Sequence, residues 1–388
     1  MSRKEYSFIE VCDIQGGTQP PKDEFVYEKK DGYIRLLQIQ DFKREDKTVY
    51  IKDRHTLKKC NDDDILIGRY GASIGKILSG LSGAYNVALV KAIPDLKKIN
   101  KRFLWHFLNS VVFQEFIKNV STRAAQAGFN KDDLAKLKIY LPSLNEQVKI
   151  ASVLDVSDAI RKKREQAIKL ADDFLRATFL EMFGDPVGNP KGWTIASLLE
   201  YGSFKNGMNF SKGESGATLK CLGVGDFKSL ATITCMDNIG EIELNTPPSA
   251  DYLLNDGDIV FVRSNGNKAL VGRCLTIYPG KEKVTFSGFC IRYRIENSAT
   301  IPEYLNFLFR TPSMKQKMLS GGQGANIQNI SQGTLSALRI PVPPLDKQIA
   351  FAKLVDFHAS IVKKQYDKMA ESEKLFNALA GDFFTFNE

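Results

Sequence analysis

The side chains that could read DNA bases lie in two polar stretches, and each stretch occurs once in either half of the 388-residue chain. Arginine, lysine, asparagine and glutamine hydrogen-bond to base edges in the major groove, and the basic ones also hold phosphates. The candidates for DNA contact in the first half are Arg69, Tyr70, Ser73, Lys76, Arg123, Gln126 and Asn130. Those in the second half are Arg263, Ser264, Asn265, Asn267, Lys268, Arg273, Gln323, Asn326 and Gln328. Ordinary solvated loops have a similar composition, so the prediction of a DNA-binding face rests on the group rather than on any one residue.

Catalytic chemistry is poorly supported by the spacing of the other candidate residues. The segment Gly71–Lys76 is one residue short of the phosphate-binding pattern G-x-x-x-x-G-K-[ST], and Ile77 follows it. Asp41-Phe42-Lys43 and Asp226-Phe227-Lys228 each give a D-x-K pair, which a metal-dependent nuclease would have to complete with further carboxylates. We therefore predict no catalytic residue and keep a nuclease that uses these two turns as an alternative.

The cysteines and histidines do not form the pattern of a metal site. The six cysteines include no C-x-x-C pair, and the three histidines include no H-x-x-x-H spacing. We therefore expect no metal and no cofactor in this chain. The chain contains no apolar stretch of membrane-spanning length, and it begins without the hydrophobic core of a signal peptide. A cytoplasmic protein without a membrane partner is expected, and the net charge of +9 favours a polyanionic partner.

The candidate loops follow sequence elements that occur twice. The pattern L-x-x-L-x-I-x-x-P-x-x-x-x-Q at 134–147 returns at 335–348, an offset of 201 residues. A predicted strand of the type D-I-L-x-x-R at 64–69 returns as D-I-V-F-V-R at 258–263, and in both halves it leads directly into a polar loop. Self-similarity at this length indicates a duplicated domain, because the units of a solenoid are several-fold shorter. The duplicated strands match while their loops differ, so we expect two related surfaces with different specificities.

Two segments without proline or glycine predict long helices, 145–183 and 346–380, each about 50–60 Å in length. Apolar residues at three-four spacing predict that these helices pack on each other as an antiparallel coiled coil. Two basic domains held apart by such a rod could match two half-sites on one duplex. The predicted seam of the first helix consists of Val153, Val156, Ile160, Ala167, Leu170, Phe174 and Ala177. That of the second consists of Leu354, Phe357 and Ile361, followed by Met369, Phe376 and Leu379.

Taken together, these features resemble the specificity subunits of type I restriction–modification systems. The resemblance rests on the repeated order of globular domain and long helix, the two D-I-L-x-x-R type strands, the repeated L-x-x-L-x-I-x-x-P-x-x-x-x-Q pattern and the basic helices. It covers essentially the whole chain, and it is specific as a combination rather than in any one part.

The resemblance implies an α+β fold with two tandem α/β target recognition domains, 1–144 and 185–345. These would be separated by two long spacer helices, 145–184 and 346–388, packed as an antiparallel coiled coil with internal pseudo-two-fold symmetry. Each domain would read one half of a split, asymmetric DNA sequence, while the helices set the gap and dock two methyltransferase subunits.

The resemblance also implies a division of labour between this chain and its partners. The methyltransferase subunits would bind S-adenosylmethionine and methylate adenine, and restriction subunits would use ATP and Mg²⁺ for translocation and cleavage. This chain would be non-catalytic. A DNA-independent scaffold, in which the helices bind protein and the domains have lost DNA contact, remains a second alternative beside the nuclease.

Overall fold

The computed structural model describes residues 3–43, 48–123, 128–211, 213–227, 231–320 and 329–384. The chain divides into two compact units. Unit 1 comprises residues 1–165 together with 366–388, and unit 2 comprises residues 166–365. Both boundaries fall inside long helices, so each unit contains one part of either long helix.

Unit 1 contains two four-stranded sheets, with strand orders β2-β9-β6-β7 and β4-β3-β8-β5, and the two-stranded pair β1-β10. Its strands are β1 (Lys4–Ser7), β2 (Cys12–Gly16), β3 (Tyr33–Leu37), β4 (Val49–Lys52), β5 (Lys59–Cys60), β6 (Ile65–Gly68), β7 (Ile77–Leu78), β8 (Gly83–Tyr85), β9 (Leu89–Pro94) and β10 (Lys138–Leu141). Its helices are α1 (Phe8–Val11), α2 (Lys101–Asn109), α3 (Val111–Arg123), α4 (Lys131–Leu134) and the beginning of α5 (Leu144–Phe183).

Unit 2 contains a five-stranded sheet of order β12-β19-β16-β17-β14, a three-stranded sheet of order β15-β13-β18 and the pair β11-β20. Its strands are β11 (Thr194–Ser197), β12 (Gly202–Asn206), β13 (Ala217–Leu222), β14 (Thr232–Ile233), β15 (Glu241–Leu244), β16 (Asp258–Val262), β17 (Cys274–Ile277), β18 (Val284–Phe286), β19 (Cys290–Ile295) and β20 (Arg339–Val342). Its helices are α6 (Pro302–Arg310), α7 (Pro312–Ser320), α8 (Gln332–Ser336) and the beginning of α9 (Leu345–Phe384).

The predicted repeat is present in the strand order of the two units. The order β2-β9-β6-β7 of unit 1 corresponds to β12-β19-β16-β17 of unit 2, and β1-β10 corresponds to β11-β20. All of these pairs are antiparallel, and α2 packs against β7 as α6 packs against β17, which agrees with an α+β fold. The strands that carry the candidate loops, β6 and β16, are buried along their whole length. They therefore hold the loops on rigid supports.

A buried glutamine fixes the start of each long helix to its unit. In unit 1, the Gln147 amide nitrogen donates to the carbonyls of Lys98 and Pro142, at 2.9 and 3.0 Å, and its oxygen accepts from the Asn100 backbone N–H at 2.8 Å. The Gln147 side chain is fully buried, and its three hydrogen bonds provide partners for polar groups that water does not reach. The repeated glutamine of the sequence pattern is thus explained by a structural role.

Unit 2 repeats this arrangement at the same offset of 201 residues. The Gln348 amide nitrogen donates to the carbonyls of Ala299 and Pro343, at 3.1 and 2.8 Å, and its oxygen accepts from the Ile301 N–H at 3.2 Å. The Thr300 hydroxyl adds a fourth bond at 3.2 Å.

The two long helices are present, each 40 residues long, but the predicted seam of the first helix is wrong. All seven predicted seam residues of α5 are exposed, and Leu170 and Phe174 keep 68% and 69% of their surface. The buried stripe lies one position further along, at Leu154, Ile168 and Leu175. One residue rotates the stripe by about 100° around the helix, so the predicted residues occupy the neighbouring, uncovered face.

The prediction for the second helix is also wrong at its start. Leu354 and Phe357 remain 39% and 65% exposed, whereas Ile361, Met369 and Phe376 are partly buried. The side chain of Leu379 lies outside the described part of the structure.

Parts of both long helices contribute to the core of each unit. In unit 1, the Phe384 ring of α9 packs edge-on against Phe103 and Phe107 of α2, with ring centroids 5.2 and 5.5 Å apart. In unit 2, Phe179 of α5 lies 5.3 Å from Phe351 of α9. Aromatic contacts of this size bury large apolar areas, so each unit depends on both helices for its core.

Candidate nucleic-acid interface

In unit 1, the structure brings the two polar stretches of the first half together. Arg69 follows β6, and its Nε donates to the carbonyl of Phe129, 3.1 Å away. Tyr70 forms an isolated antiparallel bridge with Gly128. Residues 60 positions apart in sequence therefore form one edge, which we name loop pair 1 (residues 69–76 and 128–130).

Unit 2 builds the same edge from the corresponding segments. Ser264 forms an antiparallel bridge with Asn329, and the Ile330 N–H donates to the Arg263 carbonyl at 3.0 Å. We name this edge loop pair 2 (residues 263–273 and 329–330). The backbone plan of the two edges is shared, so their differences lie in loop length and in side chains.

Loop pair 1 contains a half-buried arginine stacked on an exposed tyrosine ring. The guanidinium carbon of Arg69 lies 5.0 Å from the centre of the Tyr70 ring, and the ring is 41% exposed. Stacking restricts the orientation of both side chains before any ligand binds. Lys76 is exposed beside them, and Ser73 is half-buried in a short turn of residues Gly71–Ser73.

Loop pair 2 presents a different set of polar groups. Arg263 is exposed, and its Nη1 lies 3.5 Å from the Gly288 carbonyl. Lys268 is exposed as well, whereas Ser264 and Asn265 are half-buried. The stacked tyrosine of unit 1 has no counterpart in this sequence segment, because serine occupies the position after the arginine.

Three of the predicted asparagines make local backbone contacts. The Asn130 side-chain oxygen accepts from the Asp133 N–H at 2.9 Å and caps α4. The side-chain oxygens of Asn265 and Asn267 accept from backbone N–H groups two residues further on, at 2.8 and 3.1 Å. Their amide groups are thereby oriented by the loop itself, as in Asx turns.

Arg273 is set apart from the other candidates of unit 2. Its Nε donates to the Ala269 carbonyl at 3.3 Å and its Nη1 to the Phe227 carbonyl at 3.4 Å. The side chain lines a cavity together with Arg310 and Lys315. Gln126, Gln323, Asn326, Gln328 and the side chain of Arg123 lie outside the described residues.

Comparison with known proteins shows the family to which the chain belongs. The family model of the type I restriction modification DNA specificity domain matches residues 3–170 and again residues 216–368. These two matches cover most of the chain and contain both loop pairs. The chain belongs to the family of type I restriction–modification DNA specificity subunits.

A curated relative of this specificity subunit extends over nearly the same length. The type I restriction enzyme StySPI specificity subunit of Salmonella potsdam is 24% identical over 390 residues, which covers 92% of this chain and 82% of the relative.

Two solved structures share the fold. A chain from a study of complex assembly and conformational transition of the type I R-M system gives a TM-score of 0.58 at 17% identity, with 98% of this chain and 97% of that chain covered. The crystal structure of the type I restriction–modification S subunit from M. genitalium gives 0.53 at 15% identity, with coverages of 100% and 97%.

In this specificity subunit, the aspartates of the two D-x-K turns have a structural role. Asp41 is buried, and its Oδ2 accepts from the Gln38 N–H at 2.6 Å. Asp226 Oδ2 accepts from the Gly223 N–H at 2.8 Å. Both aspartates cap short turns, and no grouping of three or more potential metal ligands occurs within the described residues. These findings give the nuclease alternative no support, and Lys228 lies outside the described part.

A third strand-end segment beside the loop pairs was missed by the sequence reasoning. The Arg69 N–H donates to the Ala88 carbonyl, and the Arg263 N–H donates to the Phe289 carbonyl, both at 2.8 Å. Phe289 is 60% exposed next to loop pair 2. The offset of 201 residues, extended to the segment before β9, aligns Ala88 with Phe289 and could have revealed this segment.

In each unit, a glycine lies in close backbone contact with the residues just before this strand-end segment, and the sequence analysis did not identify it. A β-carbon at Gly17 would lie 2.1 Å from the Asn86 carbonyl oxygen, and one at Gly207 would lie 2.0 Å from that of Ser287. Any side chain at these positions would force the backbones apart, so glycine is required.

Within the part of the chain that the structure describes, no helix is long and apolar enough to cross a membrane.

Proposed function

We propose that each unit of this specificity subunit reads one half of a split, asymmetric DNA target. The observation that carries the proposal is the shared backbone plan of loop pairs 1 and 2 combined with their different side chains. The matching strands β6 and β16 place the two loop pairs at equivalent positions of their units. The different side chains of the loop pairs would give each unit its own base preference. Domain limits of 1–144 and 185–345 remain part of this proposal.

Charge and exposure support a role of the loop pairs in DNA contact. Arg69 stacked on Tyr70, and the exposed Arg263 and Lys268, are side chains that bind guanine edges or phosphates. The net charge of +9 adds attraction to the phosphate backbone, which depends on salt and not on sequence. The remaining predicted contacts, including Gln126, Gln323, Asn326 and Gln328, stay proposals of the same kind.

The uncovered apolar face of α5 supports the docking of methyltransferase subunits. Val153, Val156 and Ile160 remain 51%, 60% and 42% exposed, and Leu170 and Phe174 continue the stripe further along the helix. Exposed apolar residues grouped on one face of a helix, as in the part of α5 within unit 1, are typical of a protein-binding surface. We infer that two modification subunits cover it and that restriction subunits join the complex. S-adenosylmethionine, ATP and Mg²⁺ would be bound by those partners, and this chain would itself be non-catalytic.

The long helices would set the gap between the half-sites as an antiparallel coiled coil with pseudo-two-fold symmetry. Within unit 2, Asp172 of α5 lies 3.0 Å from His358 of α9, and the Phe179 ring of α5 lies 5.3 Å from the Phe351 ring of α9. The contact positions rise along α5 while they fall along α9, which supports an antiparallel pairing of the two helices.

A matched insertion tests the role of the helices. One extra turn after Glu165 in α5, paired with one extra turn after Gln365 in α9, adds about 5.4 Å to both helices. We expect the gap in the target to lengthen by about one or two base pairs, given about 3.4 Å per base pair. Unchanged half-sequences with an unchanged gap would contradict the spacer role.

A methylation assay on random duplex DNA tests the recognition role. The full chain is assembled with its two methyltransferase subunits and S-adenosylmethionine, and methylated duplexes are sequenced. We expect a single motif made of two short halves with a gap of fixed length. One undivided motif, or methylation without sequence preference, would contradict the proposal.

Arginine variants separate DNA reading from mere scaffolding. Replacing Arg69 or Arg263 with alanine should weaken discrimination by about 1–3 kcal/mol at bases of one half only. Lys281→Ala, which removes an exposed charge from a turn of unit 2, serves as the matched control. A DNA-independent scaffold would assemble and methylate equally well with all three variants.

A further inference from the structure

An exposed phenylalanine ring lies at the edge of loop pair 2. Phe289 keeps 60% of its surface, although it directly precedes the buried strand β19. The backbone on both sides of it is bonded to the loop after β12. The Gly288 N–H donates to the Met208 carbonyl at 2.8 Å, and the Cys290 carbonyl accepts from the Gly207 N–H at 3.0 Å. The ring is therefore exposed from a well-anchored segment.

Exposure alone assigns no function to this ring, since single exposed apolar side chains are common on protein surfaces. Leu199, in the short turn before β12, is 58% exposed as well. Strands β12 and β19 are antiparallel, with Asn206 opposite Ile291, so Leu199 and Phe289 lie at opposite ends of this strand pair. The neighbours of Phe289 at its own end distinguish the two residues.

Those neighbours include the exposed arginine of loop pair 2. The Arg263 backbone N–H donates to the Phe289 carbonyl at 2.8 Å, and Arg263 Nη1 lies 3.5 Å from the Gly288 carbonyl. The Phe289 N–H donates to the Ser287 hydroxyl at 3.3 Å. The guanidinium group thus lies beside the peptide bond that leads into Phe289, and a cation and an apolar ring share one edge.

Unit 1 has the same backbone contact without the ring. The offset of 201 residues aligns Phe289 with Ala88, whose carbonyl accepts from the Arg69 N–H at 2.8 Å. The aromatic neighbour of Arg69 is instead Tyr70, which is stacked on the guanidinium. Equivalent arginines are therefore accompanied by aromatic side chains at different positions in the two units.

The charges around Phe289 favour nucleic acid as the partner of this edge. Arg263 and Lys268 are both exposed in loop pair 2, and such cations attract the phosphate backbone. Among the four bases, thymine alone presents a methyl group in the major groove, and apolar side chains recognise it by contact. An arginine and an adjacent apolar ring can thus recognise a guanine and a thymine in the same groove.

We propose that Phe289 makes unit 2 selective for a thymine, by packing its ring against the 5-methyl group in the major groove. This inference rests on the proposed reading of DNA by loop pair 2 and names one base type that this edge selects. Ala88 is too short to make the same contact from the equivalent position of unit 1.

Deoxyuridine substitution tests the contact, because it removes the 5-methyl group and leaves base pairing unchanged. The full chain is assembled with its two methyltransferase subunits, and binding of its split target is measured by competition. The half read by unit 2 is the one in which Arg263→Ala changes the base preference. Each thymine of this half, on either strand, is replaced in turn. We expect one replacement to weaken binding about fourfold, the effect of one buried methyl group.

Three variants then assign this effect to the ring. Phe289→Ala copies unit 1 and should reduce the deoxyuridine effect to less than about 1.5-fold, while Phe289→Leu should keep about twofold. Leu199→Ala removes an equally exposed apolar side chain and is the matched control, which should retain the full effect. Thermal melting checks that each variant is folded.

A deoxyuridine effect that persists in Phe289→Ala would overturn the inference, as would a unit 2 half without any sensitive thymine. Both results would leave the split target and its reading by loop pair 2 intact. Failure of Arg263→Ala to change either half would instead contradict the proposed function, and the inference with it.

Discussion

Units 1 and 2 share the contacts of one repeated residue, a buried glutamine, and differ in the contacts of another, an aspartate. The glutamines at 147 and 348 make corresponding hydrogen bonds, to the same backbone positions in either unit. The aspartates at 64 and 258 are also equivalent, yet Asp258 is held by both nitrogens of Arg294, at 2.9 and 2.7 Å, whereas Asp64 meets Lys91 at 3.3 Å. Contacts that join the long helix to its unit are thus the same in both units, while charge pairs near the loops differ.

The largest difference between the units should come from these aspartates. The Asp258 side chain is 1% exposed, so Asp258→Asn leaves the Arg294 guanidinium without its carboxylate at a buried site and should destabilise unit 2 by about 3–5 kcal/mol. Asp64→Asn breaks partly exposed pairs with Lys91 and Lys101, and should cost unit 1 about 1 kcal/mol. Hydrogen exchange followed by mass spectrometry measures each unit by its own peptides. If the two substitutions lowered the stability of their units equally, the difference in burial between the two charge pairs would not determine their contribution to stability.

The glutamines should instead give equal effects. Gln147→Leu and Gln348→Leu each leave buried backbone groups without partners, so each should destabilise its own unit by about 2–3 kcal/mol. Gln166→Leu, an exposed position of α5, is the control and should stay within about 0.5 kcal/mol. Urea unfolding followed by hydrogen exchange compares the variants. A loss confined to one unit would contradict an equivalent role of the two glutamines.

The smallest expected difference is a pH dependence specific to unit 1. Burial lowers the pKa of His106, which lies 2.8 Å from Asp155, so the folded state favours the neutral ring. The corresponding stability is present above the ordinary histidine pKa of about 6.5 and is lost as the pH falls below it. His106→Phe, which copies Phe307 of unit 2, should flatten this dependence between pH 7.5 and about 5.5.

Hydrogen exchange of unit 1 peptides at both pH values provides the measurement. An unchanged slope in His106→Phe would show that another group titrates there.

The sequence predicted the two long helices more accurately than it predicted which of their faces are buried. The absence of proline and glycine from 145–183 and 346–380 identified both long helices, because these two residue types are the ones that most often end a helix. The three-four spacing identified an apolar stripe on α5 but not what packs against it, since a seam between helices and an exposed apolar face have the same periodicity. Leu154 and Val153 are adjacent apolar residues, and only packing shows that the first is buried.

The candidate site was predictable in position but not in the use of each side chain. The repeat located loop pairs 1 and 2 because strands β6 and β16 match in sequence. Asparagine caps turns and reads adenine with the same amide group, so Asn130 could be assigned to capping only from its contact with Asp133. Arg273 is a residue type that reads bases, but it lines a cavity whose wall includes Phe307 and Lys315 of α6 and α7, which lie more than 30 residues further along the chain.

Exchange of residues 1–145 for those of a relative with another target tests the central claim most directly. The hybrid chain is assembled with its methyltransferase subunits, and its methylated sites in random duplex DNA are sequenced beside those of the original chain. Independent reading by the two units predicts a new sequence in one half of the target, with the other half and the gap unchanged. A change in both halves, or in neither, would contradict it.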